Sequence, residues 1–79
     1  MMNKPLIKIC GITQPAILQF CRDKGVDLAG LIFYPASPRY ITLEKARSLL
    51  RSVNRKKMGI TGVFVDETVD RVREIAEYL

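Results

Sequence analysis

Histidine is absent from the 79-residue sequence, and cysteine occurs only at Cys10 and Cys21. Without histidine or paired cysteines at short spacing, the sequence lacks the ligand pattern of a zinc site, and we expect no bound metal. Two cysteines also do not make the disulfide framework of a small secreted protein. We therefore expect reduced thiols and a cytoplasmic protein.

Long apolar runs are missing too. No segment reaches the length needed to cross a membrane. Lys4 and Lys8 interrupt the N-terminal apolar stretch before it could act as the core of a signal peptide. These absences predict a protein with no membrane association.

Aromatic residues make up only 8% of the sequence, although the net charge is +5. None of them is interleaved with the densest basic run, Arg55-Lys56-Lys57, and no nucleic-acid recognition motif is present. Nucleic-acid binding is therefore the weakest hypothesis, and a solvated basic loop is the favoured interpretation of this run.

What the sequence does contain is a threefold alternation of apolar runs and amphipathic stripes. The pattern predicts strands near residues 6–10, 28–33 and 60–65, and helices near 15–24, 43–53 and 68–78. Thr13, Thr42 and Thr68 are the expected N-caps. In the first helix, Ile17, Phe20 and Cys21 form the expected apolar stripe, and Gly25 is its expected left-handed stop.

Three consecutive strand–helix units predict an α/β fold with a parallel sheet and neighbouring strands in chain order. Helices from such crossovers cover one face of the sheet and leave the other open. We expect the isolated chain to self-associate, to bind a complementing chain or to be partly unfolded if the open face carries any of the apolar strand residues, namely Ile7, Ile9, Leu31, Phe33, Val63 or Val65. The chain is expected to be one partial domain over residues 1–79.

Cys10 follows Ile7 and Ile9 at the point where the first predicted strand ends. The carboxyl ends of parallel strands are where α/β folds place their functional sites. A free cysteine is more often a small buried hydrophobe, and the strand alone favours that structural interpretation.

Three motifs together carry a resemblance to a known family. Lys8-Ile9-Cys10-Gly11-Ile12-Thr13, then Gly30-Leu31-Ile32-Phe33-Tyr34-Pro35 with Ser37-Pro38-Arg39-Tyr40, and finally Gly62-Val63-Phe64-Val65 resemble phosphoribosylanthranilate isomerase of tryptophan biosynthesis. The family fold is a (βα)₈ TIM barrel, so the chain resembles its first three βα units, an incomplete barrel. The implied reaction is an Amadori rearrangement of a phosphorylated aminosugar, which needs no cofactor.

The resemblance also implies roles for two residues. Cys10 matches the family's catalytic base, which removes the proton from the sugar C2. Arg39 matches the arginine that binds the anthranilate carboxylate, and a planar guanidinium can pair with a carboxylate bidentately. The family's general acid lies on a later strand and its phosphate site on the last loops, regions that the chain does not match.

Two functional hypotheses therefore stand ahead of nucleic-acid binding. In the first, the chain is part of an isomerase and is inactive alone. In the second, it is a non-catalytic half-barrel module that assembles with a partner chain.

Overall fold

The computed structural model describes residues 5–79, in which three strands alternate with three helices. The elements in chain order are β1 (Lys8–Cys10), α1 (Pro15–Asp23), β2 (Leu28–Ile32), α2 (Leu43–Ser52), β3 (Gly59–Val63) and α3 (Val69–Ala76). Every predicted element is present, and β1 and α3 are shorter than expected. No helix in this part of the chain is long and apolar enough to cross a membrane.

The strands form a single parallel sheet in the order β1-β2-β3. In its register, Cys10 lies opposite Gly30, and Gly30 lies opposite Thr61. The predicted parallel sheet with neighbours in chain order is confirmed.

The two faces of the sheet differ because side chains alternate along each strand. On one face, Ala29, Leu31 and Phe33 are buried in the core. Helix residues complete that core, among them Leu18, Cys21, Ala46, Leu49 and Ile75. On the other face, Leu28 and Ile32 are only half-buried.

The expectation of association depended on which apolar strand residues the open face carries. Leu31 and Phe33 point into the helix-covered core and do not contribute to that face, whereas Val63 lies opposite half-buried Ile32 and shares its face. Ile7, Ile9 and Val65 are exposed, at 46%, 41% and 46%. Ile9 shares the face of its register partner Ala29, but β1 is an edge strand and leaves it accessible.

The starts of the helices confirm two of the three predicted caps. The hydroxyl oxygens of Thr42 and Thr68 accept hydrogen bonds from backbone N–H groups in the first turns of α2 and α3. The expectation for Thr13 is wrong, because the N-cap of α1 is Gln14 and its side chain makes no capping bond. Pro15 lacks an N–H, which lowers the demand for a capping side chain there.

The stripe predicted for α1 is also partly wrong. Leu18 is fully buried and Cys21 is 3% exposed, whereas Ile17 and Phe20 are 51% and 59% exposed. Two apolar stripes overlap on this helix, since Ile17–Phe20 and Leu18–Cys21 are both three residues apart. Packing on the sheet selects the second pair.

We expect Leu18→Ala to lower the free energy of unfolding by about 2–5 kcal/mol, the usual cost of removing a buried leucine side chain. Ile17→Ala, the matched change one position away, should cost much less because that side chain is half in water already. Urea unfolding followed by circular dichroism measures both. Equal losses would contradict the observed orientation of α1.

Candidate active site

Cys10 is the last residue of β1, at the carboxyl edge of the sheet, and it is half-buried. Its thiol lies over Gly30 on the neighbouring strand, because a Cβ placed on Gly30 would be only 2.7 Å from the Cys10 Sγ. The face in question is the one opposite the helices, since Gly30 alternates with Ala29 and Leu31 along β2. The thiol is therefore held against the sheet on its open face.

The backbone after Cys10 is fixed by the same neighbour. The carbonyl oxygen of Gly30 accepts hydrogen bonds from the N–H groups of Gly11 at 2.9 Å and Ile12 at 3.2 Å. Gly11 turns the chain with φ +82°, a conformation that glycine adopts at little cost. Ile12 is 2% exposed and anchors the turn in the core.

A second loop leads to Arg39 and is attached to the end of β2. Its return is fixed by the Ile41 N–H, which donates to the Ile32 carbonyl oxygen at 2.9 Å. Inside the loop, the Ser37 N–H donates to the Tyr34 carbonyl oxygen at 3.0 Å, and the Arg39 N–H donates to the Ser37 Oγ at 3.1 Å. These bonds set the direction in which the Arg39 side chain leaves the loop.

Arg39 reaches back across the sheet edge to the first strand. Its Nη1 donates a 3.1 Å hydrogen bond to the carbonyl oxygen of Cys10. The side chain also passes over Gly11, where an added Cβ would lie 2.5 Å from Nη1 and 2.6 Å from Cδ. The structure thus brings together the two site residues that were predicted from the sequence.

The Arg39 side chain is well suited to bind an anion at this edge. It is exposed, and within residues 5–79 the ion pairs join other arginines, Arg22 with Asp23 and Arg71 with Glu74. A guanidinium has five N–H donors. One of them bonds to Cys10, which leaves others free for a carboxylate.

Two functional positions that the sequence patterns do not single out are the glycines beneath these side chains. Gly11 and Gly30 occur in the motifs of the first two units, but a motif does not show that their missing side chains make room for Arg39 and Cys10. The signal that could have found Gly30 is the pairing of the β1 and β2 motifs in a parallel register, which places Gly30 beside Cys10.

The remaining candidate groups lie elsewhere. Cys21 is a free thiol buried in the core, as expected. The basic run Arg55–Lys57 precedes β3, at the opposite end of the sheet from Cys10, where it lines a cavity of about 340 Å³ together with Arg22 and Met58. Within residues 5–79, no cluster of three or more potential ligands could hold a metal ion.

The comparisons with known proteins agree on one family. The family model described as N-(5'phosphoribosyl)anthranilate (PRA) isomerase matches residues 7–79. The chain belongs to the phosphoribosylanthranilate isomerase family. A relative of that name from Syntrophus aciditrophicus is 44% identical over 69 residues, which cover 87% of this chain and 30% of the relative.

Solved isomerase structures give the same picture. The crystal structure of the Thermotoga maritima phosphoribosylanthranilate isomerase matches 95% of this chain and 36% of its own, with a TM-score of 0.85 and 36% identity. Another isomerase structure, with the same score and identity, contains reduced 1-(o-carboxyphenylamino)-1-deoxyribulose 5-phosphate; the match covers 95% of this chain and 38% of that one. The chain thus folds as the first three βα units of the isomerase TIM barrel and spans about a third of the length of its curated relatives.

A substitution at Gly11 tests whether the Arg39 side chain packs against this glycine. Gly11→Ala should destabilise the chain more than Gly25→Ala, because both glycines have left-handed backbones, at φ +82° and +78°, but a Cβ at Gly25 meets nothing within 4 Å. The strain shared by both changes should cost roughly 1–2 kcal/mol. Urea unfolding provides the measurement.

The excess cost at Gly11 should vanish in an Arg39→Ala background, where the arginine no longer occupies the space. Persistence of that excess in the double variant would show that Arg39 does not rest on Gly11.

Proposed function

We propose that the chain supplies the base and the carboxylate-binding arginine of a phosphoribosylanthranilate isomerase. The observation that carries the proposal is the 3.1 Å contact between Arg39 and the Cys10 carbonyl at the carboxyl edge of the sheet. It joins the guanidinium to the backbone of the residue that bears the thiol, and this supports a shared site at the edge where TIM barrels carry their active sites.

The reaction is an isomerisation without net oxidation, so no cofactor is needed. An acid protonates the furanose ring oxygen, the bond from that oxygen to C1 breaks, and the nitrogen lone pair forms an iminium at C1. A base then removes the proton from C2, which gives an enolamine. Proton gain at C1 and proton loss from the C2 hydroxyl complete the aminoketose.

Cys10 is the proposed base for the C2 proton. Its side chain is the titratable group of β1 that lies nearest the strand's carboxyl end, and its position over Gly30 keeps it on the open face of the sheet. The thiolate is the reactive form of cysteine. A positioned base of this kind contributes typically about 10²- to 10⁴-fold to a rate.

Arg39 is the proposed partner of the anthranilate carboxylate. The ligand named in the related isomerase structure has a carboxyphenyl group and a sugar phosphate. With its backbone fixed by Ser37 and one Nη held by Cys10, the Arg39 guanidinium loses little freedom when it binds a carboxylate. This arrangement supports a substrate with a carboxylate near the proton that Cys10 would remove.

The general acid and the phosphate site belong to parts of the family barrel outside the matched third. We therefore propose that the 79 residues alone are inactive and that activity requires the remaining βα units. As part of tryptophan biosynthesis, the protein is proposed to work in the cytoplasm.

The test is steady-state isomerase turnover by a complete barrel, in which this chain replaces the equivalent third of the Thermotoga maritima enzyme. Cys10→Ser should abolish most of kcat, because a serine hydroxyl is too weakly acidic to supply an anion. Arg39→Ala should raise KM far more than it lowers kcat. The 79-residue chain alone should show no turnover above background.

Two substitutions serve as controls. Cys21→Ser makes the same chemical change in the core, and Arg73→Ala removes an exposed arginine from α3; neither should alter proton transfer. Undiminished kcat in the Cys10→Ser barrel would remove Cys10 as the base, and full activity of the chain alone would show that the acid is not missing.

The open sheet supports a second candidate function, a non-catalytic half-barrel that binds a partner chain. Edge strands carry unpaired backbone N–H and C=O groups. The exposed apolar residues Ile7, Ile9 and Val65 lie in β1 or within two residues of the ends of β1 and β3. A catalytic barrel would bind its remaining βα units through the same strand edges. The two candidate functions therefore predict the same assembly surface and differ only in whether the assembled protein is catalytic.

We expect the isolated chain to self-associate at high concentration, because the two edges and the open face carry apolar side chains. Sedimentation velocity over a range of concentrations measures the association. Replacing Ile9 by lysine should reduce it, whereas Ala16→Lys on the exposed surface of α1 is the control. A compact monomer at all concentrations would contradict the expectation.

A further inference from the structure

We propose that Gly30 is a positioning residue for Cys10: the missing side chain at residue 30 forms the slot in which the thiol lies. This inference deepens the isomerase proposal and rests on it for its catalytic consequence. Its structural part, the place of the thiol, stands on the geometry of β1 and β2 alone.

The slot is defined by three distances from a Cβ built on Gly30. That atom would lie 2.7 Å from the Cys10 Sγ, 3.1 Å from its Cα and 3.3 Å from its Cβ. A separation of 2.7 Å is far below the contact distance of two nonbonded heavy atoms. A methyl group at residue 30 and the thiol therefore exclude each other in this arrangement.

Space, and not backbone conformation, is what requires a glycine here. The glycines with positive φ are Gly11 and Gly25, and Gly30 is not among them. Gly30 is buried within the central strand β2, where glycine weakens a sheet and often marks a close approach. The group that approaches it is the Cys10 side chain.

A side chain that fills the slot would displace the thiol, and the surrounding strands limit its new position. On its other side, β1 has no neighbouring strand within residues 5–79. In the 79-residue chain, a thiol displaced from Gly30 would therefore rotate along β1 or towards its unpaired edge, where no strand covers it. Gly30→Ala should therefore expose the thiol as well as move it.

Gly59 provides a matched control on the next strand. It lies opposite Leu28 in the register of β2 and β3, and it too has an ordinary φ. A Cβ on Gly59 would be 2.8 Å from the Leu28 Cδ2, a contact as close as that at Gly30, but with the end of a leucine. Gly59→Ala thus adds the same methyl group to the sheet without touching Cys10.

The first experiment measures alkylation of each cysteine by iodoacetamide, resolved by peptide mass spectrometry, in the 79-residue chain, where the outer edge of β1 is unpaired. Gly30→Ala should accelerate alkylation of Cys10 several-fold, and Gly59→Ala should leave the rate unchanged. Buried Cys21, which is 3% exposed, reports unfolding. Unchanged Cys10 alkylation in Gly30→Ala, or equal acceleration in Gly59→Ala, would overturn the proposal.

Rapid alkylation of Cys21 would reveal that Gly30→Ala unfolds the protein. In that case the double variant Gly30→Ala with Cys10→Ala tests whether the clash with the thiol causes the unfolding. Recovery of the fold on removal of the Sγ supports the slot. No recovery means that the methyl group is rejected by something other than the thiol, and the proposal fails.

The second experiment is kinetic and uses the complete barrel. Gly30→Ala should lower kcat with little change in KM, and it should add nothing to the loss caused by Cys10→Ser, since both act through the thiol. A rise in KM at constant kcat would overturn the positioning role. If the barrel lacks isomerase activity altogether, the isomerase proposal fails, while the alkylation result still decides the slot.

Discussion

The parallel register between β1 and β2 is the constraint on which the rest of the site depends. It places Cys10 beside Gly30, and it continues beyond the strand because the Gly30 carbonyl also binds the N–H groups of Gly11 and Ile12. A register shift of one residue would turn every side chain of β1 to the other face. The thiol would then face the helices, and Gly11 would no longer lie beneath Arg39.

Much of this arrangement could be predicted from the sequence, and the features that could not be predicted are those that depend on tertiary contacts. Element order, the parallel sheet and the caps Thr42 and Thr68 follow from local patterns that tertiary packing does not override. The stripe of α1 does not, because a helix with Ile17, Leu18, Phe20 and Cys21 has two apolar faces, and only contact with the sheet selects one. The site residues came from a motif, which names residues and cannot give the contacts between them.

The contact of Arg39 with Cys10 illustrates what local patterns leave out. The two residues are far apart in sequence, and they meet only because the loop after β2 returns to the sheet edge through the Ile41–Ile32 hydrogen bond. Pro35 and Pro38 restrict the conformations of that loop, but they do not specify its direction. That direction is set by backbone bonds at Tyr34 and Ser37, whose formation depends on where β2 ends.

This chain corresponds to the first three units of the family barrel, so only part of the proposed active site lies within it. β1, β2 and the loop after β2 fix the backbone of Cys10, the proposed base, relative to Arg39, the proposed carboxylate partner. The acid and the phosphate site, by resemblance, come from units packed onto the two free edges, so their distance from Cys10 depends on how well those edges are paired. Catalysis is sensitive to small displacements between reacting groups. Substitutions at the β3 edge should therefore act mainly on the placement of the acid relative to Cys10, because the contact between Arg39 and Cys10 is made by β1 and the loop after β2.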